Sequence, residues 1–246
     1  MVSDERGDDG AIDADATVVE GGQAPSARVA LSRARILEAA VRFIDERGLA
    51  DLTMRRLGAE LGVEAMSMYR YVPGREELLD GIVETIVAEL YADPDVLDAP
   101  RDGWQDFLQR LAHGIRRVAL AHPKAFPLVA SRPPEAPWLR PPLRSLAWVE
   151  SFLRAMIGEG FSEEDAVGAY RGFTSFLLGH LLLEVSVRGA DIGPLDVRAD
   201  DPEDPTLGEY PLVSALHTAL AEDHSAVEFE ESLENLLDRM QLMRKR

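Results

Sequence analysis

Arg55, Ser67, Tyr69 and Tyr71 fall within one short stretch, residues 53–75, TMRRLGAELGVEAMSMYRYVPGR. These are hydrogen-bonding side chains, and the chemistry they suit is recognition. The stretch reads as two short helices around a tight turn at Gly62, the second carrying small and polar side chains followed by two tyrosines. Such an element fits the major groove of DNA, where a helix enters and base edges are distinguishable. Arginine pairs well with the O6/N7 edge of guanine, which makes Arg55 the strongest direct reader in the stretch. Arg56 beside it reads as a solvated helix face.

Those side chains need a scaffold. Leu57, Leu61, Val63 and Met68 are spaced to bury the other side of the helix pair, and Thr53 is a sound N-cap. Upstream, residues 33–47 place Ile36, Leu37, Ala40, Val41 and Ile44 at helical spacing, with Ser32 as N-cap and Gly48 as stop. Downstream of Pro73 and Gly74, Leu78, Leu79, Ile82, Val83, Ile86, Val87 and Leu90 repeat as in a long amphipathic helix.

The set Ala39-Ala40, Gly48, Leu52-Thr53-Met54-Arg55, Leu57, Leu61-Gly62-Val63, Ser67-Met68-Tyr69-Arg70-Tyr71-Val72 and Leu78-Leu79 resembles the N-terminal head of the TetR (tetracycline-repressor) family of transcriptional regulators. The resemblance implies that Thr53, Tyr69 and Arg75 hold phosphates. It further implies that Arg55, Ala65, Met66 and Ser67 face base edges, and that Tyr71 stacks on sugar or reaches a phosphate. Ala65 and Met66 replace the Gln-Pro pair of the tetracycline repressors and offer only apolar contacts, so a different operator is expected.

A formal net charge of −18 sits oddly with DNA binding. Residues 32–75 hold eight basic and six acidic side chains, so the charge divides into +2 here and −20 elsewhere. Binding is then expected through one end only, with weak non-specific affinity. Cysteine is absent, which excludes disulfides and thiolate metal sites and makes a reducing cytoplasm the expected compartment. There is no run of apolar residues long enough for a membrane span, because His180 and Glu184 interrupt Phe173–Val187. No Gly-rich phosphate loop, G-x-S-x-G, H-E-x-x-H or cysteine nucleophile is present, so an enzyme is not expected.

The expected fold class is all-α. Residues 1–29, with seven acids and two arginines, read as a disordered acidic tail and not a secretory signal. Residues 30–75 form the helix-turn-helix domain and residues 76–246 a helical ligand-binding and dimerisation domain. Helices are expected from Trp104 to His122, briefly over 124–130, from Leu143 to Ile157, from Ser162 to about Arg188, and over 210–222 and 226–243. Ser162 with Asp165 resembles a capping box. Residues 189–206 read as a mobile acidic loop.

Two seams at 4, 3 spacing predict subunit pairing: Ala166, Tyr170, Phe173 and Leu177 in one helix, Phe229, Leu233, Leu236 and Met240 in the last. The ordinary alternative is packing within the chain. In the TetR family two such helices from each subunit build a four-helix dimer interface. A homodimer holds two recognition helices roughly 34–36 Å apart, for which a palindromic operator is expected.

The resemblance also implies a body cavity for a small-molecule inducer that releases the repressor from DNA, with residues 75–91, roughly 25 Å of helix, as the lever. Tyr91, Trp104, Phe107, Leu128, Trp148, Phe152, Phe176 and His180 are its candidate lining. Aligning the Thr-Arg-Pro turn of the tetracycline repressors with Ser131, Arg132 and Pro133 puts Leu128 and Tyr91 where those proteins carry histidines. Metal-chelated tetracycline is therefore not the expected inducer, and an apolar or aromatic ligand is. His217, His224 and Glu228 straddle a break at Asp223–Ser225 and are not expected to bind metal; no cofactor is expected. His113 is a surface or core residue and His122 a helix-end cap. A transcriptional activator with the same head, or a helical binding module without a DNA role, are the alternative functions.

Overall fold

The computed structural model describes residues 30–96, 99–132, 146–191 and 209–244. Among them there are ten α-helices and no strand. The tail, residues 133–145 with the first residues of the helix expected from Leu143, and residues 192–206 of the acidic loop lie outside the described residues.

The head follows the capping chemistry written in the sequence. Helix α1 (Arg33–Arg47) starts where Ser32 Oγ accepts from the Arg35 amide at 3.2 Å and ends where the Gly48 amide donates to the Ile44 carbonyl at 2.7 Å. Helix α2 (Met54–Leu61) starts where Thr53 Oγ1 accepts from the Arg56 amide at 3.2 Å. Gly62 closes it at φ 68°, a left-handed conformation that a side chain would strain. Helix α3 is a single turn (Ala65–Met68), so Tyr69 and Tyr71 lie just beyond it. Gly58 permits the close crossing of α2 and α3: a Cβ there would lie 2.9 Å from the Val63 carbonyl oxygen.

Helix α4 (Arg75–Ala92) belongs to both halves. Its Leu78, Leu79, Ile82, Val83 and Ile86 are buried in one cluster with Ile36, Ala40, Ile44, Leu57 and Met68 of the head. Ala125 and Leu128 enter the same cluster from the region of α6 (Phe126–Ser131). At 1.5 Å per residue its eighteen residues span about 27 Å.

The body comprises α5 (Trp104–Ala121), α6, α7 (Leu146–Gly158), α8 (Glu163–Ser186), α9 (Pro211–Ala221) and α10 (Ser225–Arg244). Helix α8 starts at Ser162, whose Oγ accepts from the Asp165 amide at 3.1 Å and donates to Asp165 Oδ2 at 2.6 Å. The core joins Trp104, Phe107, Leu108 and Leu111 of α5 to Phe152 and Met156 of α7, to one face of α8, and to Phe229, Leu233, Leu237 and Met240 of α10.

One expectation is corrected here. Ala166, Tyr170, Phe173 and Leu177, with Phe229, Leu233 and Met240, are 0–3% exposed within the single chain. Leu236 is partly buried against the same core. The 4, 3 rhythm is used to pack α8 on α10 inside the chain, because a seam of that period fits any helix partner. What remains exposed is a stripe with Val167 and Leu183 of α8, continued by Val187 just past its end. Helix α9 is the converse case: Leu212, Val213, Leu216 and Leu220 are all exposed, and none of its residues is buried.

Candidate DNA-binding head and effector body

Ion pairing sorts the cations of the head. Arg33 is held by Glu84 at 3.0 Å, Arg47 by Glu60 at 3.0 Å, and Arg56 by Asp51. Arg42, Arg55 and Arg70 are exposed and have no carboxylate partner among the described residues. Arg70 instead lies over the Tyr71 ring, 5.9 Å from its centroid. Arg55 thus presents a whole guanidinium from the second position of α2, while Leu57, two residues on, is fully buried and fixes the helix's rotation.

On the second helix, Met68 is fully buried and Met66 is 75% exposed. Met66 is thus a large apolar side chain held in water on the second helix of the motif. Ala65 and Ser67 are half-buried, and Tyr69 is exposed. Tyr71 is half-buried and packs against the head core. Thr53 is exposed, and its hydroxyl already serves as the α2 cap, so only its proton remains to donate. Arg75, expected to hold a phosphate, is exposed, and its Nη1 donates to the Leu52 carbonyl at 2.6 Å, tying the start of α4 to the start of α2. That carbonyl lies just ahead of α2, outside its hydrogen-bond ladder.

The aromatic side chains proposed for the body do not form one group. Phe152 is central to one set, its ring centroid 5.7 Å from Trp148, 5.8 Å from Tyr170 and 5.7 Å from Phe173. Phe229 is central to another, 5.6 Å from Phe176, 5.3 Å from His180 and 5.8 Å from His113. Trp104 stands edge-on to Phe161 at 5.1 Å, and its buried Nε1 has no hydrogen-bond partner among the described residues. Phe107 is buried in the same body core. Tyr91 is 52% exposed, and Leu128 packs into the head cluster, so neither is part of the body core.

Two ionic sites, one buried and one part-buried, escaped the sequence reading. Glu184, whose side chain is 0% exposed, accepts from Arg116 Nη2 at 2.7 Å and Nε at 3.0 Å, with Arg188 Nη1 3.4 Å away. Burial alone works to raise its pKa. The hydrogen bonds and charge of Arg116, aided by Arg188 and His180, win and hold the carboxyl below the usual range. The Arg116 guanidinium also lies 5.0 Å over the Phe229 ring. A lone carboxylate inside the apolar run Phe173–Val187 was the available signal, since a buried charge needs a partner. The second site surrounds His122.

Residues 36–82 match the family model for bacterial regulatory proteins of the tetR family, and residues 97–244 match the tetracyclin repressor-like C-terminal domain. The chain belongs to the TetR family. It is a DNA-binding transcriptional regulator, of a family whose members are not enzymes. An HTH-type transcriptional repressor, DrrR1, from Streptomyces coeruleorubidus is 28% identical over 220 residues, covering 85% of this chain and 77% of that one. The class D tetracycline repressor of Escherichia coli is 31% identical over 153 residues, 62% of this chain and 66% of that one. The crystal structure of a possible TetR family regulator from Streptomyces coelicolor has a TM-score of 0.66 at 29% identity, covering 86% of this chain and 99% of that one. The fold is shared with ActR of Streptomyces coelicolor, solved in complex with actinorhodin, at a TM-score of 0.62 and 23% identity, over 86% of this chain and 95% of that one. No helix among the described residues of this TetR-family chain is long and apolar enough to cross a membrane.

Proposed function

We propose that this regulator is a ligand-responsive repressor that binds a palindromic operator as a homodimer and leaves it when a small-molecule inducer binds. The observation that carries the reading is the division of the head: Leu57 and Met68 lock α2 and α3 from below, while Arg55 and Met66 stand in solvent with no partner. Arg55 reads a guanine edge, Met66 meets a thymine methyl, and Ala65 and Ser67 pack beside them. Thr53, Tyr69 and Tyr71 position the phosphates, and Arg75 acts mainly by fixing α4 to α2.

The head thus comprises residues 30–75 and the face of α4 that closes its core. The rest of the chain is the body, where an apolar or aromatic inducer among the α5, α7 and α8 aromatics displaces α4. Pairing uses the exposed stripe of α8, with Val167, Leu183 and Val187, beside Leu242 of α10. The test is fluorescence anisotropy of the full chain on duplex DNA from its own upstream intergenic region, across a salt series. Salt-sensitive, saturable binding by a two-chain species supports the reading. Equal affinity for scrambled duplex, or a chain monomeric at binding concentrations, refutes it.

A further inference from the structure

His122 makes contacts that the reading above does not use. It caps α5 with its side chain 15% exposed. Its Nδ1 lies 2.7 Å from Asp45 Oδ2 and its Nε2 2.9 Å from Glu89 Oε2. Both partners are carboxylates, which only accept when ionised. A neutral imidazole has a single N–H and would turn a lone pair toward one of them; only the imidazolium donates at both nitrogens. Asp45 lies on α1, Glu89 near the end of α4, and His122 at the end of α5. One ring therefore joins three helices.

Asp45 depends on this ring. Its Oδ1 is buried without a hydrogen-bond partner, so an uncharged neighbour would leave a largely buried carboxylate uncompensated. The C-terminal end of α5 also favours a cation. The hydrogen bond to Asp45, reinforced by Glu89, holds the ring's pKa up at about 9 against its burial. Neighbouring contacts run the same way. Lys124 Nζ donates to the Glu46 carbonyl of α1 at 2.9 Å, and Arg132 donates to Asp80 and Glu76 of α4, each at 3.0 Å. The segment 122–132 thus presents cations to the acidic sides of α1 and α4.

We infer that His122 is a positioning residue for the head: as an imidazolium it clamps α1 and α4 to the end of α5, so that a displacement of α5 reaches the DNA-contacting helices through this ring. The clamp itself is independent of the proposed function, whereas its effect on DNA rests on that reading.

The experiment uses the full chain and the variants His122→Gln, His122→Arg and Glu89→Gln. Two-bond ¹H–¹⁵N spectra report the ring directly. Both nitrogens of His122 should show protonated shifts at neutral pH and titrate only near pH 9. A single neutral tautomer at neutral pH overturns the inference. Hydrogen exchange reports the clamp: His122→Gln should speed exchange of α1 amides about tenfold or more, with α8 and α10 unchanged. His122→Arg, which keeps the cation, should restore most of the protection, a rescue that a merely space-filling role would not give. Unchanged α1 exchange in His122→Gln, or equal exchange in the Gln and Arg variants, overturns it. Where His122→Gln does not fold, Glu89→Gln serves, because Glu89 is half-exposed. It should lower the ring's titration midpoint, and an unmoved midpoint overturns the inference. On the upstream duplex, His122→Gln should weaken binding several-fold and His122→Arg should recover it. Faster exchange with unaltered affinity overturns the positioning role. A wild-type chain that binds no duplex overturns the proposed function, and the spectral and exchange results then still decide the clamp.

Discussion

Replacing Arg116 by methionine removes the guanidinium from Glu184 and leaves an unbranched apolar side chain in its space. Glu184 is 0% exposed at its side chain and Arg116 18%, so water cannot take over the lost hydrogen bonds at 2.7 and 3.0 Å. Removing one partner of a buried pair costs about 3–5 kcal/mol. Arg188 remains 3.4 Å from Oε1 and Ser225 Oγ also 3.4 Å away, which places the expected loss at the lower end, about 3 kcal/mol. Loss of the contact over Phe229 adds less than about 1 kcal/mol. The assay is urea unfolding followed by circular dichroism at fixed chain concentration, because association adds to apparent stability. The double variant Arg116→Met/Glu184→Leu removes both charges and should lie within about 1–2 kcal/mol of the parent. The acid side gives a second reading. Glu184 has its pKa depressed in the folded chain, so its stabilisation is present above its ordinary 4.5 and is lost as pH falls through the folded value. In Arg116→Met burial dominates and lifts the carboxyl's pKa above its unfolded value, so the sign reverses and protonation on acidification should recover part of the lost stability. A single variant that loses less than about 1 kcal/mol, or a double variant as damaged as the single, refutes the reasoning.

Arg55→Ala should weaken operator binding by about 1–3 kcal/mol and relax preference at one base pair per half-site; uniform weakening across unrelated duplexes would reduce Arg55 to a phosphate contact. Gly58→Ala drives a Cβ to 2.9 Å from the Val63 carbonyl oxygen and 3.2 Å from the Ala65 amide nitrogen. Backbone must yield there, so a destabilisation of about 1–3 kcal/mol with loss of DNA binding is expected, and an unchanged melting temperature speaks against the tight α2–α3 crossing. His122 has its pKa raised from 6.5 to about 9, so its stabilisation is complete below about pH 6.5 and is lost as pH rises through about 9. At about 1.4 kcal/mol per pH unit the full displacement is worth about 3 kcal/mol, and the half-exposed Glu89 reduces this by screening to about 1–2 kcal/mol. Melting temperatures between pH 7 and 10 check it: the parent should decline and His122→Gln should stay flat.

Much of the fold was legible because its signals are local. Ser32, Thr53 and Ser162 each cap a helix through a side chain to an amide three residues on, a geometry that sequence spacing specifies. The order of helices across the head is legible for the same reason. Partnership was less so. A 4, 3 seam states that α8 and α10 have partners but not whether those are one another or a second chain, and here they are one another. Helix α9 shows the same blindness in reverse, since its apolar residues are spaced for burial and lie in solvent. The bond from Arg75 to the Leu52 carbonyl, 23 residues away, was equally out of reach of a local reading. Arg116 and Glu184 are 68 residues apart, and His122 and Asp45 are 77 apart. No window of sequence joins such pairs, although a carboxylate in an apolar run announces that a partner exists.

The proposed function requires a paired body that holds two such heads over successive major grooves. Selection of duplexes from a random pool by the full chain, followed by sequencing, tests it most directly. Enrichment of a two-fold symmetric site with half-site centres about 10–10.5 base pairs apart, or a multiple of that, is expected. Recovery of no preferred sequence, or of a single asymmetric half-site, contradicts it.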